Sequence, residues 1–116
     1  MSSMILDLPA QETNETGPYA LMGRARAKAG KAEALEAALI ALVGPTRREE
    51  GVMQYHVHRD RADPELFVFY EVWASVGHLK AHLLQPYVQD FLERRHTLLA
   101  GEMEIRWLHM ASPYQA

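Results

Sequence analysis

The chain has 116 residues, 48% hydrophobic and 23% charged, with a formal net charge of −3. That balance suits one globular domain rather than a disordered chain, and a domain this small gains from burying a face against a second copy. The acidic charge argues against a nucleic-acid partner, the absence of cysteine excludes disulfides and thiolate chemistry, and no run approaches the ~20 apolar residues of a membrane span.

Residues 1–18 read as an N-terminal extension ahead of a domain over residues 19–116. Pro9, Asn14, Gly17 and Pro18 supply turn chemistry with no sustained period. The first residues lack a basic stretch followed by an apolar core, so no secretory signal is expected. With no cysteine present, a reducing cytoplasm is the expected location.

Tyr19 to Ala27 reads as a strand, with Tyr19, Leu21, Gly23 and Ala25 alternating against Arg24 and Arg26. Lys31 to Val43 is the clearest helix, with Leu35, Leu39, Leu42 and Val43 on one face. Gly44-Pro45 interrupts it, and a further turn through Thr46 to Glu50 follows. The clusters Arg47-Arg48 and Arg94-Arg95-His96, with Glu49, Glu50 and Glu93 beside them, read as solvated mixed-charge surface.

Val52 to Asp60 is a second strand, alternating Met53, Tyr55 and Val57 with Gln54, His56 and His58. After a polar turn, Leu66 to Trp73 forms a third strand that is apolar on both faces apart from Glu71. Both its faces must therefore be covered. Ser75 is placed to cap a helix running to Leu84. Pro86 starts another that Gly101 ends near Ala100, and Glu102 to Met110 closes as a fourth strand.

The order is βαββαβ, with the second helical segment broken in two. It predicts an α+β, ferredoxin-like domain with a four-stranded antiparallel sheet. Helices cover one sheet face, and a homodimer is the simplest cover for the other.

The stretch from Glu50 to Pro86 carries Glu50-Gly51, Tyr55, Asp63-Pro64, Phe67, Tyr70-Glu71-Val72-Trp73, Leu79, His82 and Pro86. In this order, with the preceding strand and helix, it resembles the antibiotic biosynthesis monooxygenase domain, quinol monooxygenase-like, over about residues 19–110. The resemblance implies a dimeric α+β barrel with a pocket in each subunit between sheet and helices. It implies a cofactor-independent monooxygenase that deprotonates a quinol- or anthrone-like aromatic substrate and lets it react directly with molecular oxygen. The alternatives are an isomerase or other non-oxygenase enzyme using the same pocket, or a non-catalytic dimer that binds small molecules. The haem-degrading branch carries an Asn on the first strand, and Tyr19 to Ala27 contains none.

The candidate catalytic residue is His82, which shares a helix face with Leu79 and Leu83; imidazole accepts a phenolic proton near neutral pH. Buried histidine needs a polar partner, and Glu71 or Tyr55 is the candidate. Glu71 and Trp73 share a strand face with Phe67 and Phe69, and these four are candidate substrate-binding residues. Tyr55 is a candidate hydrogen-bond donor to the substrate, and Arg24 a candidate cation for a developing phenolate. Tyr70 points to the opposite face, towards the dimer. His78 with His82, and His56 with His58, have spacings that suit a metal, but no carboxylate completes a pattern, so no metal site is assigned. No glycine-rich phosphate loop or nucleophile elbow appears, and neither flavin nor nicotinamide is expected.

Overall fold

The structure is a computed structural model, and it describes residues 17–115. The N-terminal extension falls almost wholly outside the described residues. The elements in order are β1 (Tyr19–Arg26), α1 (Ala32–Ala41), α2 (Val43–Arg47), β2 (Val52–Arg59), β3 (Leu66–Trp73), α3 (Val76–Leu83), α4 (Pro86–Leu98) and β4 (Glu104–Leu108). The strands form one antiparallel sheet in the order β2-β3-β1-β4, the ferredoxin-like arrangement.

Side-chain parity follows from the register. Leu21 faces Glu71 and Trp107, Gly23 faces Phe69 and Ile105, and Tyr55 faces Glu71. These residues share the helix-covered face with Ala25, Phe67 and Trp73. Met22, Arg24, Val68, Tyr70, His56, His58 and Arg106 take the other face, called the outer face below. Gly23 has a specific reason to be glycine: a Cβ there would overlap the Phe69 ring and press on Ile105.

The core divides into two clusters. Leu35, Leu39, Phe67, Phe91 and Leu92 gather over one part of the sheet, and Leu21, Phe69, Trp73 and Leu79 over another. Leu35 and Trp73 are fully buried. Burial of this apolar surface, at ~25 cal/mol per Å², is what holds the helices to the sheet.

Several element boundaries differ from the sequence expectation, among them the fourth strand, which is shorter at both ends, and two of the differences have a clear physical reason. The first helix gives way at Leu42, ahead of Gly44-Pro45, and Pro45 lies in the first turn of α2, where a missing N–H costs no helical hydrogen bond. The last helix stops at Leu98 rather than near Gly101. Leu99 turns extended and bridges to Ala27, while Ala100 N–H donates to the Arg26 carbonyl at 2.8 Å, so tertiary pairing ends the helix before glycine is reached. Ser75 caps α3 as expected, its hydroxyl accepting from the His78 N–H at 3.1 Å.

Candidate active site

The site forms where the two core clusters meet. A hollow of about 50 Å³ lies there, walled by Leu21, Leu39, Phe69, Phe91, Met103 and other apolar side chains. Its polar lining residues are Tyr55, Glu71 and His82, gathered in one corner. A volume of this size admits a few water-sized molecules, so a fused ring system enters only as side chains move aside.

Three elements supply that corner. β3 presents Glu71 and Trp73, two residues apart on one face, and the Trp73 indole N–H donates to Glu71 Oε1 at 2.9 Å. α3 turns His82 inward with Leu79, leaving it 3% exposed. β2 presents Tyr55, whose ring meets the His82 ring edge-on at 5.9 Å. The Trp73 and His82 rings lie closer, 4.7 Å between centroids and tilted by 37°.

The hydrogen-bond partner of His82 is neither Glu71 nor Tyr55 but Glu49. His82 Nδ1 lies 2.9 Å from Glu49 Oε2, and the Tyr87 hydroxyl donates to the same oxygen. Glu49 follows α2, and its side chain is only 11% exposed. The expected solvated charge cluster therefore divides. The Glu50 side chain is 92% exposed, as expected, whereas Glu49 belongs to the site. Gly51 takes φ +89°, and a Cβ there would overlap the His78 ring, so the chain turns tightly into β2 at a position only glycine fills well.

The two carboxyl groups have different environments. Glu71 is buried with one donor, and burial raises its pKa; the nearby Glu49 charge pushes the same way, while His82 and the Trp73 N–H partly oppose. Burial also pushes the Tyr55 hydroxyl well above an ordinary phenol, with the Glu71 charge adding to it. Tyr87 rises to about 12, through burial first and its hydrogen bond to Glu49 second. Both phenols therefore stay protonated, and Tyr87 donates a hydrogen bond to Glu49. The Thr46 hydroxyl lies near both rings, fully buried, yet without a hydrogen bond of normal geometry among the described residues.

The other sequence candidates separate. Phe69 walls the hollow, but Phe67 packs into the neighbouring cluster with Leu35 and Phe91. Trp73 borders the corner through its contacts with His82 and Glu71. Arg24 does not reach the hollow, because strand parity sends it to the outer face, where it pairs with Glu104 at 3.5 Å. His56 and His58 also lie on the outer face, with ring centroids 6.3 Å apart. Among the described residues, no group of three or more His, Asp or Glu side chains is arranged to hold a metal. Sequence reasoning missed Glu49 and Tyr87. Tyr87 was visible only as an apolar helix position, and Glu49 carried no signal that set it apart from Glu50.

A ferredoxin-like sheet, helices on one face and a buried imidazole at the edge of an apolar hollow define a small α+β domain built around an internal hollow. Residues 18–94 match the model of the antibiotic biosynthesis monooxygenase family, and the chain belongs to that family. It is 36% identical to protein PA3566 of Pseudomonas aeruginosa, whose crystal structure superposes with a TM-score of 0.79 over 84% of this chain and 97% of that one. Rv0793 of Mycobacterium tuberculosis shares the fold, with a TM-score of 0.80 at 23% identity, over 85% of this chain and all of that one. An uncharacterised protein of Synechocystis, sll1783, is 32% identical over 89 residues, 77% of this chain. The matched segment spans 60% of that protein's length.

Proposed function

We propose that the chain is a cofactor-independent monooxygenase of a quinol- or anthrone-like aromatic substrate, with His82 as the base. The observation that carries this reading is the buried imidazole against the Trp73 indole, 4.7 Å between ring centroids, beside an apolar hollow. An aromatic body would displace side chains around Phe69 and lie among them, with its oxygen in the corner of Tyr55, Glu71 and His82. The Tyr55 phenol, which keeps its proton, would donate to that oxygen as it gains negative charge.

For an anthrone the reaction balances as follows. His82 takes a proton from the ring carbon, and the negative charge delocalises to the substrate oxygen. One electron passes to molecular oxygen, and the two radicals join in a new carbon–oxygen bond. The resulting peroxide takes a proton back and loses water as the second carbon–hydrogen bond breaks, leaving a ketone. The substrate is the reductant; one oxygen atom ends in the product and the other in water.

The test is oxygen uptake with a panel of anthrones and hydroquinones. His82→Ala is expected to lower kcat by about 100-fold or more. Equal uptake by parent and variant would remove His82 from the chemistry, and no uptake by either would remove the oxygenase reading.

One observation favours a second reading. Glu71, pushed towards its protonated form, and His82 border the same hollow as an acid and a base. That pair suits an isomerase, which moves a proton between two positions of one substrate without oxygen. Turnover under anaerobic conditions would select it.

We also propose a homodimer through the outer face. Met22 and Leu108 are 37% and 39% exposed there, with Val68 and Tyr70 half-buried on the adjoining β3, an apolar surface that a second copy would cover. A cytoplasmic location is part of the same proposal and rests on the cysteine-free composition.

A further inference from the structure

Glu49 has an environment that its neighbours in sequence do not share. It lies in the short connection between α2 and β2, held on both sides by backbone. Its own N–H donates to the Thr46 carbonyl at 3.0 Å, and two residues on, the Gly51 carbonyl accepts from Ala74 N–H at 2.7 Å. The left-handed turn at Gly51 sends the chain into the sheet directly afterwards. Between these fixed points the Glu49 side chain turns inward, while Glu50 turns out to water.

One oxygen of that carboxylate accepts from two elements, His82 Nδ1 of α3 and the Tyr87 hydroxyl of α4. An ionised carboxylate only accepts. The proton on a neutral His82 ring is therefore drawn to Nδ1, and Nε2 keeps the lone pair. Tyr87 stays protonated, so it supports the carboxylate rather than competing with it. Glu71 does not share this role, because its hydrogen bond is to the Trp73 indole. Of the two carboxyl groups near His82, the one that takes its Nδ1 is Glu49.

We infer that Glu49 is a positioning residue, which, braced by Tyr87, fixes the Nδ1–H tautomer and the orientation of His82 and so presents Nε2 to the substrate. It touches no substrate itself. The inference rests on the reading of His82 as the base. The proton taken at Nε2 makes a cation, and the Glu49 carboxylate lies 2.9 Å from its other nitrogen to stabilise it.

Two measurements separate this role from a merely structural one. The first is the nitrogen NMR spectrum of the histidine rings in the full chain at alkaline pH, where neutral imidazoles report their tautomer, with His82→Ala used to assign the signal. The parent is expected to show His82 protonated on Nδ1. Glu49→Gln, which offers both a donor and an acceptor, is expected to lose that dominance, and Glu49→Asp to keep it. The second is steady-state oxygen uptake with the best substrate of the panel. Glu49→Gln is expected to lower kcat on the order of 100-fold with KM within about threefold, and Glu49→Asp to restore about tenfold of that loss. Tyr87→Phe is expected to fall between parent and Glu49→Gln.

An unchanged His82 tautomer in a folded Glu49→Gln protein would overturn the inference, whatever the activity. Absence of oxygen uptake in the parent would overturn the oxygenase reading instead and leave the tautomer result to decide the role of Glu49.

Discussion

The two faces of one sheet carry similar residue types and treat them in opposite ways. On the helix face, Tyr55 and Glu71 are buried, and the α3 residue His82 packs down onto them. On the outer face, His58, Arg24 and Glu104 meet water, and the Arg24–Glu104 pair leaves side chains 53% and 71% exposed. Residue type does not separate the two sets. Register does: Glu71 and Tyr70 are adjacent in sequence and lie on opposite sides. A histidine or carboxylate gains chemical potential here only where parity and a helix place it in a low-dielectric corner with a partner.

The largest expected effect tests what covers the outer face. Val68→Asp places a charge in the middle of that face, and sedimentation should show the mass falling from two chains to one. A parent that sediments as a single chain would break the comparison, because the outer face would then be a true solvent surface. The next effect is on the buried side. Burial raises the Glu71 pKa, so the folded chain holds that proton to higher pH than the unfolded chain does. The stability contributed is full below the ordinary value of 4.5 and is lost as pH rises through the raised folded value. Glu71→Gln keeps an acceptor for Trp73 and removes the titration. Its melting temperature should match the parent at about pH 4 and exceed it by a few degrees towards about pH 8. Identical pH profiles would show that Glu71 is not the buried acid of the comparison.

The smallest effect sharpens it. Arg24→Ala removes an exposed pair worth at most about 0.5 kcal/mol, and neither melting temperature nor oxygen uptake should move measurably. A changed KM would instead bring the outer face of a partner copy into the substrate site.

The fold was legible because its signals are local. Alternation in Tyr19–Arg26, two apolar faces in Leu66–Trp73 and the Leu35, Leu39, Leu42 stripe each fix one element, and their order fixes the topology. Part of the candidate site was legible for the same reason: His82 sits with Leu79 on a helix face, and Glu71 and Trp73 share strand parity. The rest depended on distances along the chain that no local period encodes. Glu49 is 33 residues before His82 and 38 before Tyr87, and nothing in Arg-Arg-Glu-Glu-Gly says which glutamate turns inward. Arg24 shares a strand face with Arg26, opposite Leu21 and Gly23, but the sequence does not say which of the two faces the helices cover, and the register puts Arg24 on the outer one. Phe67 was grouped with Phe69 correctly by face, but a strand eight residues long spans both core clusters, and the two rings fall into different ones.

The single oxygen of Glu49 that receives both His82 and Tyr87 ties the α2–β2 connection to α3 and α4. A ring system too large for the hollow would have to shift side chains of α3 and α4, and any such shift would pull on this one oxygen, so that occupancy of the hollow and the geometry at His82 Nδ1 would change together.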